Sequence, residues 1–224
     1  MVCLGIDTSG KNLSVGLSER GIVLGERAYQ GPHPHSVVLI DEIEALFAET
    51  SVNLNQVSLI AVSAGPGRYT ALRVGMATAK AVALAKGISL VRVSTLEAMA
   101  RSALPTPVKT LCPVLDAHRH LVYFARFRVD GETLIRLEED QALPYEAAAS
   151  LIPLETPTLI LGDGGPLILS VMERGKEILD VQTGMIRGGE VARLGEDTFR
   201  DQARNELYEG PAYVRKVEIH NPKT

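Results

Sequence analysis

Chemistry in this chain would fall to a few short turns that combine glycine with a carboxylate. Asp7-Thr8-Ser9-Gly10 closes an apolar run and opens a tight turn, where a carboxylate and backbone N–H groups can take a phosphate and its metal ion. The same residues also make an ordinary hairpin turn in which Asp7 satisfies its own backbone. Ala64-Gly65-Pro66-Gly67-Arg68-Tyr69-Thr70 is more specific: two glycines permit unusual dihedrals, a proline fixes one, and a helix follows. Such a loop is either a ready anion site or a tight strand-to-helix joint. Asp116-Ala117 ends a later strand and would face the cleft of Asp7 if two halves of the chain are related by pseudo-symmetry; otherwise it caps its strand. Gly162-Asp163-Gly164-Gly165 joins a strand to a helix, again as a phosphate-compatible loop or a flexible turn. The candidate phosphate-loop residues are therefore Asp7, Thr8, Ser9, Gly162 and Gly164.

Other reactive groups form no familiar constellation. The His33-Pro34-His35 and His118-Arg119-His120 pairs put both rings on one side of an extended strand, but no third ligand has evident spacing, so loop histidines are expected and no metal site. No Ser/His/Asp or Cys/His signature is present, and no catalytic residue is assigned. Arg187, Arg193, Arg200 and Arg204 alternate with acids, as on a solvated helix face.

The elements that position these turns follow from periodicity. Strands are expected over Val2 to Asp7, Leu13 to Ser18 and Ile22 to Arg27, joined by turn residues into an antiparallel meander. A helix over Ser36 to Glu49, with Ser36 as N-cap candidate, carries Leu39, Ile43, Leu46 and Phe47 on one stripe. A strand over Leu59 to Ser63, a helix over Tyr69 to Lys86 stopped by Gly87, a strand over Ser89 to Val93 and a helix from Thr95 follow. Pro105-Thr106-Pro107 marks a boundary, after which the order begins again. Strands are expected over Leu111 to Leu115, Leu121 to Val129 and Thr133 to Glu138, then a helix over Tyr145 to Leu151, a strand over Thr158 to Leu161 and a helix over Pro166 to Arg174. A last helix spans about Gly189 to Arg204. Each half thus reads βββαβα, with domains expected at 1–104 and 105–224.

The second of the long helices is unusually smooth. Gly75, Ala79 and Ala83 recur every four residues, with Ala71, Ala77, Ala81 and Ala85 filling much of the rest. A helix with so little polar surface is buried on more than one side. One face is expected to meet the sheet and another a second helix or subunit. Val37, Val38 and Ile40 extend the apolar surface of the preceding helix in the same way.

Bulk properties agree with a compact globule. Of 224 residues 46% are hydrophobic and 22% charged, too apolar for long disorder. No stretch approaches a membrane span, and the opening Val2 to Asp7 is too short and too soon interrupted for a signal peptide. Cys3 and Cys112 sit among aliphatic neighbours, as small hydrophobes in a reduced, cytoplasmic setting. A formal charge of −4 argues against a protein that grips nucleic acid unaided.

Several stretches together resemble a known family: Leu4 to Ser9, His35-Ser36, Ala64 to Thr70 with Leu72 to Gly75, Val93 to Leu96, Leu115 to Ala117 and Pro211 to Arg215. Across essentially the whole chain they look like the TsaB (YeaZ) family, in the glycoprotease-like branch of the actin/sugar-kinase/Hsp70 superfamily. The resemblance implies a duplicated actin-like α/β fold with a truncated second lobe. It also implies an accessory role in forming N6-threonylcarbamoyladenosine at position 37 of tRNAs that read codons beginning with A. The implied partners are the catalytic paralog TsaD, as a heterodimer, and the ATPase TsaE, with a homodimer when alone and tRNA reached through the complex. No cofactor is implied for the lone chain, although nucleotide can sit at such a heterodimer interface. The family's dimer surface maps onto the helices at Ser36–Glu49 and Tyr69–Lys86, giving Leu39, Ile43, Phe47, Leu72, Gly75, Met76, Ala79 and Ala83 as expected interface residues. The catalytic paralog carries a His-x-x-x-His metal motif where this chain has Thr95 and Met99; neither offers a nitrogen ligand, so the resemblance implies a pseudo-enzyme. The competing expectation is a metal- or ATP-dependent enzyme acting alone. The family's usual Asp-Ala-Arg reads Asp116-Ala117-His118 here, with Leu121 where an acid is common and Arg119 as the possible substitute.

Overall fold

The computed structural model describes residues 1–153, 155–172, 178–182, 184–202, 209–212 and 214. The expected Arg174 and Arg204 helix ends, and Tyr213 and Arg215 of the last family stretch, lie outside these residues.

The chain builds β1 (Val2–Asp7), β2 (Leu13–Glu19), β3 (Ile22–Tyr29), α1 (His35–Thr50), β4 (Val57–Gly65), α2 (Tyr69–Lys86), β5 (Ser89–Ser94) and α3 (Thr95–Ser102). It then builds β6 (Thr110–Asp116), β7 (Leu121–Asp130), β8 (Thr133–Pro144), α4 (Tyr145–Ser150), β9 (Thr158–Leu161), α5 (Gly165–Val171), β10 (Ile178–Gln182) and α6 (Gly188–Gln202). The first sheet is ordered β3-β2-β1-β4-β5 and the second β10-β9-β6-β7-β8. Read from their meander ends the two orders are identical, which is the expected mixed α/β duplication. What is reduced in the second half is its helices: α4 and α5 have 6 and 7 residues, against 16 and 18 in α1 and α2.

Residue types account for these elements. Strand β1 is buried along its whole length, as a strand covered on both faces must be, whereas β3 alternates between exposed and half-buried positions at the sheet edge. Helix α2 stops at Gly87, whose left-handed φ of 64° lets its N–H reach Ala83 and Leu84 carbonyls. Helix α3 opens on a serine N-cap: Ser94 Oγ accepts the Glu97 N–H at 3.1 Å. Helix α1 departs from expectation by starting at His35 with Pro34 as its cap; proline's fixed φ suits that position, and Ser36 falls in the first turn. Strand β8 runs six residues past the expected Glu138 because its charged stretch finds partners: Arg126 pairs with Glu138 at 3.1 Å and Arg136 with Asp140 at 2.8 Å. Strand β10, parallel to β9, had not been expected.

Three apolar clusters define the layers. One joins α1 and α2 to a face of the first sheet through Leu39, Leu46, Met76, Leu4 and Ile60. A second lies between the sheets and contains α3 and α6, through Leu96, Met99, Val191 and Leu194 with Ala61, Leu111 and Phe127. The third joins the far side of the second sheet to α4 and α5 through Phe124, Ala148 and Ile168. Helix α6, last in sequence, therefore seats on the first sheet, and does so backbone to backbone. A Cβ on Gly16 would lie 2.1 Å from Gly189 N, and one on Gly5 2.4 Å from Ala192 N. Cys3 and Cys112 are buried and free, and no described helix is long and apolar enough to cross a membrane.

Polar contacts join the layers as well. Arg136 of β8, stacked over Phe127 at 4.7 Å, reaches Glu97 of α3 at 2.8 Å. Ser94 Oγ donates to Asp140 at 2.6 Å, and Arg101 of α3 pairs with Asp197 of α6 at 2.8 Å.

Candidate functional site

The carboxyl ends of β1, β4 and β6 open on a cleft of about 860 Å³, lined among others by Ser9 to Lys11, Gly31 to Ser36, Gly67 to Ala71, Leu115 to Arg119 and Asp163. Both glycine-carboxylate turns reach it: Ser9, Asp116 and Asp163 line it, whereas Asp7, Thr8, Gly162 and Gly164 do not.

The first turn is folded inward. Asp7, Thr8 and Ser9 are 3%, 0% and 2% exposed. Ser9 Oγ donates to Asp7 Oδ1 at 2.8 Å, Thr8 Oγ1 donates to the Ala71 carbonyl at 2.7 Å, and the Ser9 carbonyl accepts the Arg68 N–H at 2.8 Å. The Gly65-Pro66-Gly67 loop makes this possible: a Cβ on Gly67 would sit 2.7 Å from Ser9 O, so the close approach that the glycines permit is to this turn. Burial pushes the Asp7 carboxyl above its ordinary range, opposed by Ser63, Ser9 and the nearby His35. The Ser63 hydroxyl lies beside Asp7 without a hydrogen bond of good geometry. Of the expected phosphate residues here only Ser9 lines the cleft.

The second turn is open. Asp116 Oδ1 accepts the His118 N–H at 2.7 Å, and His118 Nδ1 lies 3.1 Å from Asp116 Oδ2. The Asp116 N–H donates to Asp163 Oδ1 at 3.1 Å. His118, Arg119 and His120 all take left-handed backbone, with φ of 59°, 55° and 61°. Three such residues in succession are costly for side chains other than glycine, and no residue type announced them. Gly162 and Gly164 serve the joint itself: a Cβ on Gly162 would lie 2.3 Å from Val114 O, and Gly164 N–H donates to the same carbonyl at 3.1 Å. Asp163 between them is the one that lines the cleft.

The histidines are dispersed. His33, His35 and His118 line the cleft, His35 Nε2 lies 3.0 Å from the Lys11 carbonyl, and His120 packs against Tyr145 at 5.1 Å. Among the described residues no three metal-ligating side chains converge. Thr95 and Met99 are 0% and 4% exposed in the layer between the sheets, with Met99 Sδ beside Gly162.

The expected interface requires correction. Leu39, Ile43, Leu72, Gly75, Met76, Ala79 and Ala83 are buried within this chain, and Phe47 is half-buried against the same core. A Cβ on Gly75 would lie 2.4 Å from Thr8 Oγ1, so the small residue there admits the chain's own first turn. Sequence spacing shows that α2 has two smooth faces; it does not show which one the sheet takes. The exposed side of α1 and α2, which lie side by side, carries Val37, Ile40 and Leu84, 61%, 47% and 70% exposed, and the small Ala77 and Ala81, together with the charged Asp41, Glu44 and Arg73.

Two sheets of identical order facing across α3 and α6, with paired turns at a shared cleft, define a two-lobed α/β protein of the actin-like class. The chain belongs to the TsaD family, described as tRNA N6-adenosine threonylcarbamoyltransferase, whose model matches residues 28–187, and within it to the TsaB/YeaZ type. The tRNA threonylcarbamoyladenosine biosynthesis protein TsaB of Bacillus subtilis is 28% identical over 174 residues, 77% of this chain and 76% of that one. TsaB of Escherichia coli is 28% identical over 144 residues, 64% of this chain and 62% of that one. The solved structure of YeaZ from Pseudomonas aeruginosa has the same fold, with a TM-score of 0.82 over 95% of this chain and 99% of that one, at 20% identity.

Proposed function

We propose that this chain is a non-catalytic subunit in the formation of N6-threonylcarbamoyladenosine on tRNA, binding and supporting a catalytic TsaD paralog in the cytoplasm, with TsaE as a further partner. The relatives named for this biosynthesis support the pathway. The observation that carries the subunit role is the outward face of α1 and α2. Val37, Ile40 and Leu84 stand in water beside the small Ala77 and Ala81, and such a surface is stabilised by covering it with a partner's helices. Burial of Thr95 and Met99 between the sheets puts core packing where the paralog is expected to hold its metal. No cofactor is assigned to the lone chain.

The test is assembly followed by function. Leu84→Asp with Ile40→Asp is expected to elute apart from TsaD at micromolar concentration while the parent chain coelutes. In cells depleted of the parent, the double variant is expected to leave the modified base unmade. Coelution of the double variant, or stoichiometric turnover by the isolated chain, would count against the reading.

A further inference from the structure

The cleft and the exposed side of α1 and α2 are continuous. Both helices begin at the cleft: His35 and Ser36 of α1 and Tyr69, Thr70 and Ala71 of α2 line it. The exposed Val37 and Ile40 follow close behind in α1, and Tyr69 is itself 46% exposed. A partner laid on the two helices reaches the mouth of the cleft at this end.

That end is basic. Two contacts bring Lys11 and Arg68 there: the Lys11 carbonyl lies 3.0 Å from His35 Nε2, and the Arg68 N–H donates to the Ser9 carbonyl at 2.8 Å. Both side chains are exposed and line the cleft, as does Arg119. Among the described residues the Lys11 and Arg68 side chains meet no hydrogen-bond or ion-pair partner. The first turns of α1 and α2 carry no acidic residue to balance them. The carboxylates that share the cleft are engaged by the second half: Asp116 by the His118 N–H and ring, Asp163 by the Asp116 N–H. Asp41 and Glu44 stand further along α1 and do not line the cleft.

We propose that the cleft end of the α1–α2 surface takes an acidic segment of the partner subunit, whose carboxylates meet Lys11 and Arg68. The inference rests on the proposed function, which supplies the partner. Protein fits better than nucleic acid here: with a formal net charge of −4 the chain as a whole repels a polyanion, whereas a few carboxylates on a docked protein meet only the charge within a Debye length. Charges at the rim of an apolar interface fix orientation and speed encounter more than they add affinity. The two cations therefore set which way round the partner lies.

Calorimetric titration of the full chain with TsaD, at low and at high salt, tests this. Lys11→Glu and Arg68→Glu are each expected to weaken Kd about fivefold at low salt, as for loss of an exposed ion pair, and to approach the parent as salt screens the contact. Arg128→Glu makes the same charge change at an exposed position of β7 outside the cleft and sets the baseline. Weakening beyond that baseline, lost at high salt, upholds the inference. Reversals no weaker than Arg128→Glu, with Ile40→Asp/Leu84→Asp still separating the partners, overturn it and leave the proposed function standing; if that double variant also binds as the parent does, both fall. Reversals that spare TsaD binding but lower retention of tRNA by the assembled complex assign the two cations to RNA and equally overturn it.

Discussion

At the scale of single residues, Gly75 and Asp7 separate packing from chemistry. Gly75 has Thr8 where its side chain would begin, so Gly75→Leu overpacks the core and is expected to cost about 1–3 kcal/mol in urea unfolding. Leu84→Asp, on the outward face, is expected to stay within about 0.5 kcal/mol of the parent. Equal costs would mean that α2 presents Gly75 outward. For Asp7 burial raises the folded-state pKa above the unfolded one. Below the unfolded value both states keep the proton; as pH rises toward the folded value the unfolded chain releases its proton first, and stability falls. Asp7→Asn has no proton to release and still accepts from Ser9, so thermal melts taken upward from about pH 4 should show it gaining on the parent. Parallel curves would place the carboxyl in water. The Asp7 and Asp116 turns were both legible from residue types at strand ends. That the first turn would fold inward was not, because it is closed by Arg68 on Ser9 and by Ala71 on Thr8, distant in sequence.

At the scale of elements, the strands and helices of the first half were the most legible, because burial on one side or two leaves a periodic signature. β10 escaped because its five residues include Asp180 and Gln182, too short and too polar for a pattern. The seating of α6 escaped for a different reason. Its glycines meet those of β1 and β2 only across the sequence, and nothing local to Gly188 or Gly189 points to Gly5 and Gly16. Gly16→Val is expected to force α6 off the sheet and to cost about 3 kcal/mol or more, since the atoms in the way are backbone and cannot yield as a flexible side chain would. Denaturant titration decides this, and a loss below about 1 kcal/mol would show that the helix shifts freely.

At the scale of the whole molecule, the two sheets are joined by a layer of polar as well as apolar contacts. Arg136 touches Glu97 and Asp140 with 21% of its side chain exposed. Arg136→Met would keep apolar contact with Phe127 but leave Asp140 only Ser94 and Glu97 only Arg101 as side-chain partners among the described residues. The expected cost is about 1–2 kcal/mol, below the ~3–5 kcal/mol of a fully buried pair because water still reaches the group. A variant as stable as the parent in urea unfolding would make the contact ornamental.

The place of α6 has a consequence for biosynthesis. A ribosome delivers β1 to β5 well before Gly188 emerges, so the earliest strands wait with one face bare until the last helix arrives. The nascent chain must pass through a stage in which greasy sheet is open to chaperones or to its neighbours, and any message truncated ahead of that helix would yield a product unable to cover itself.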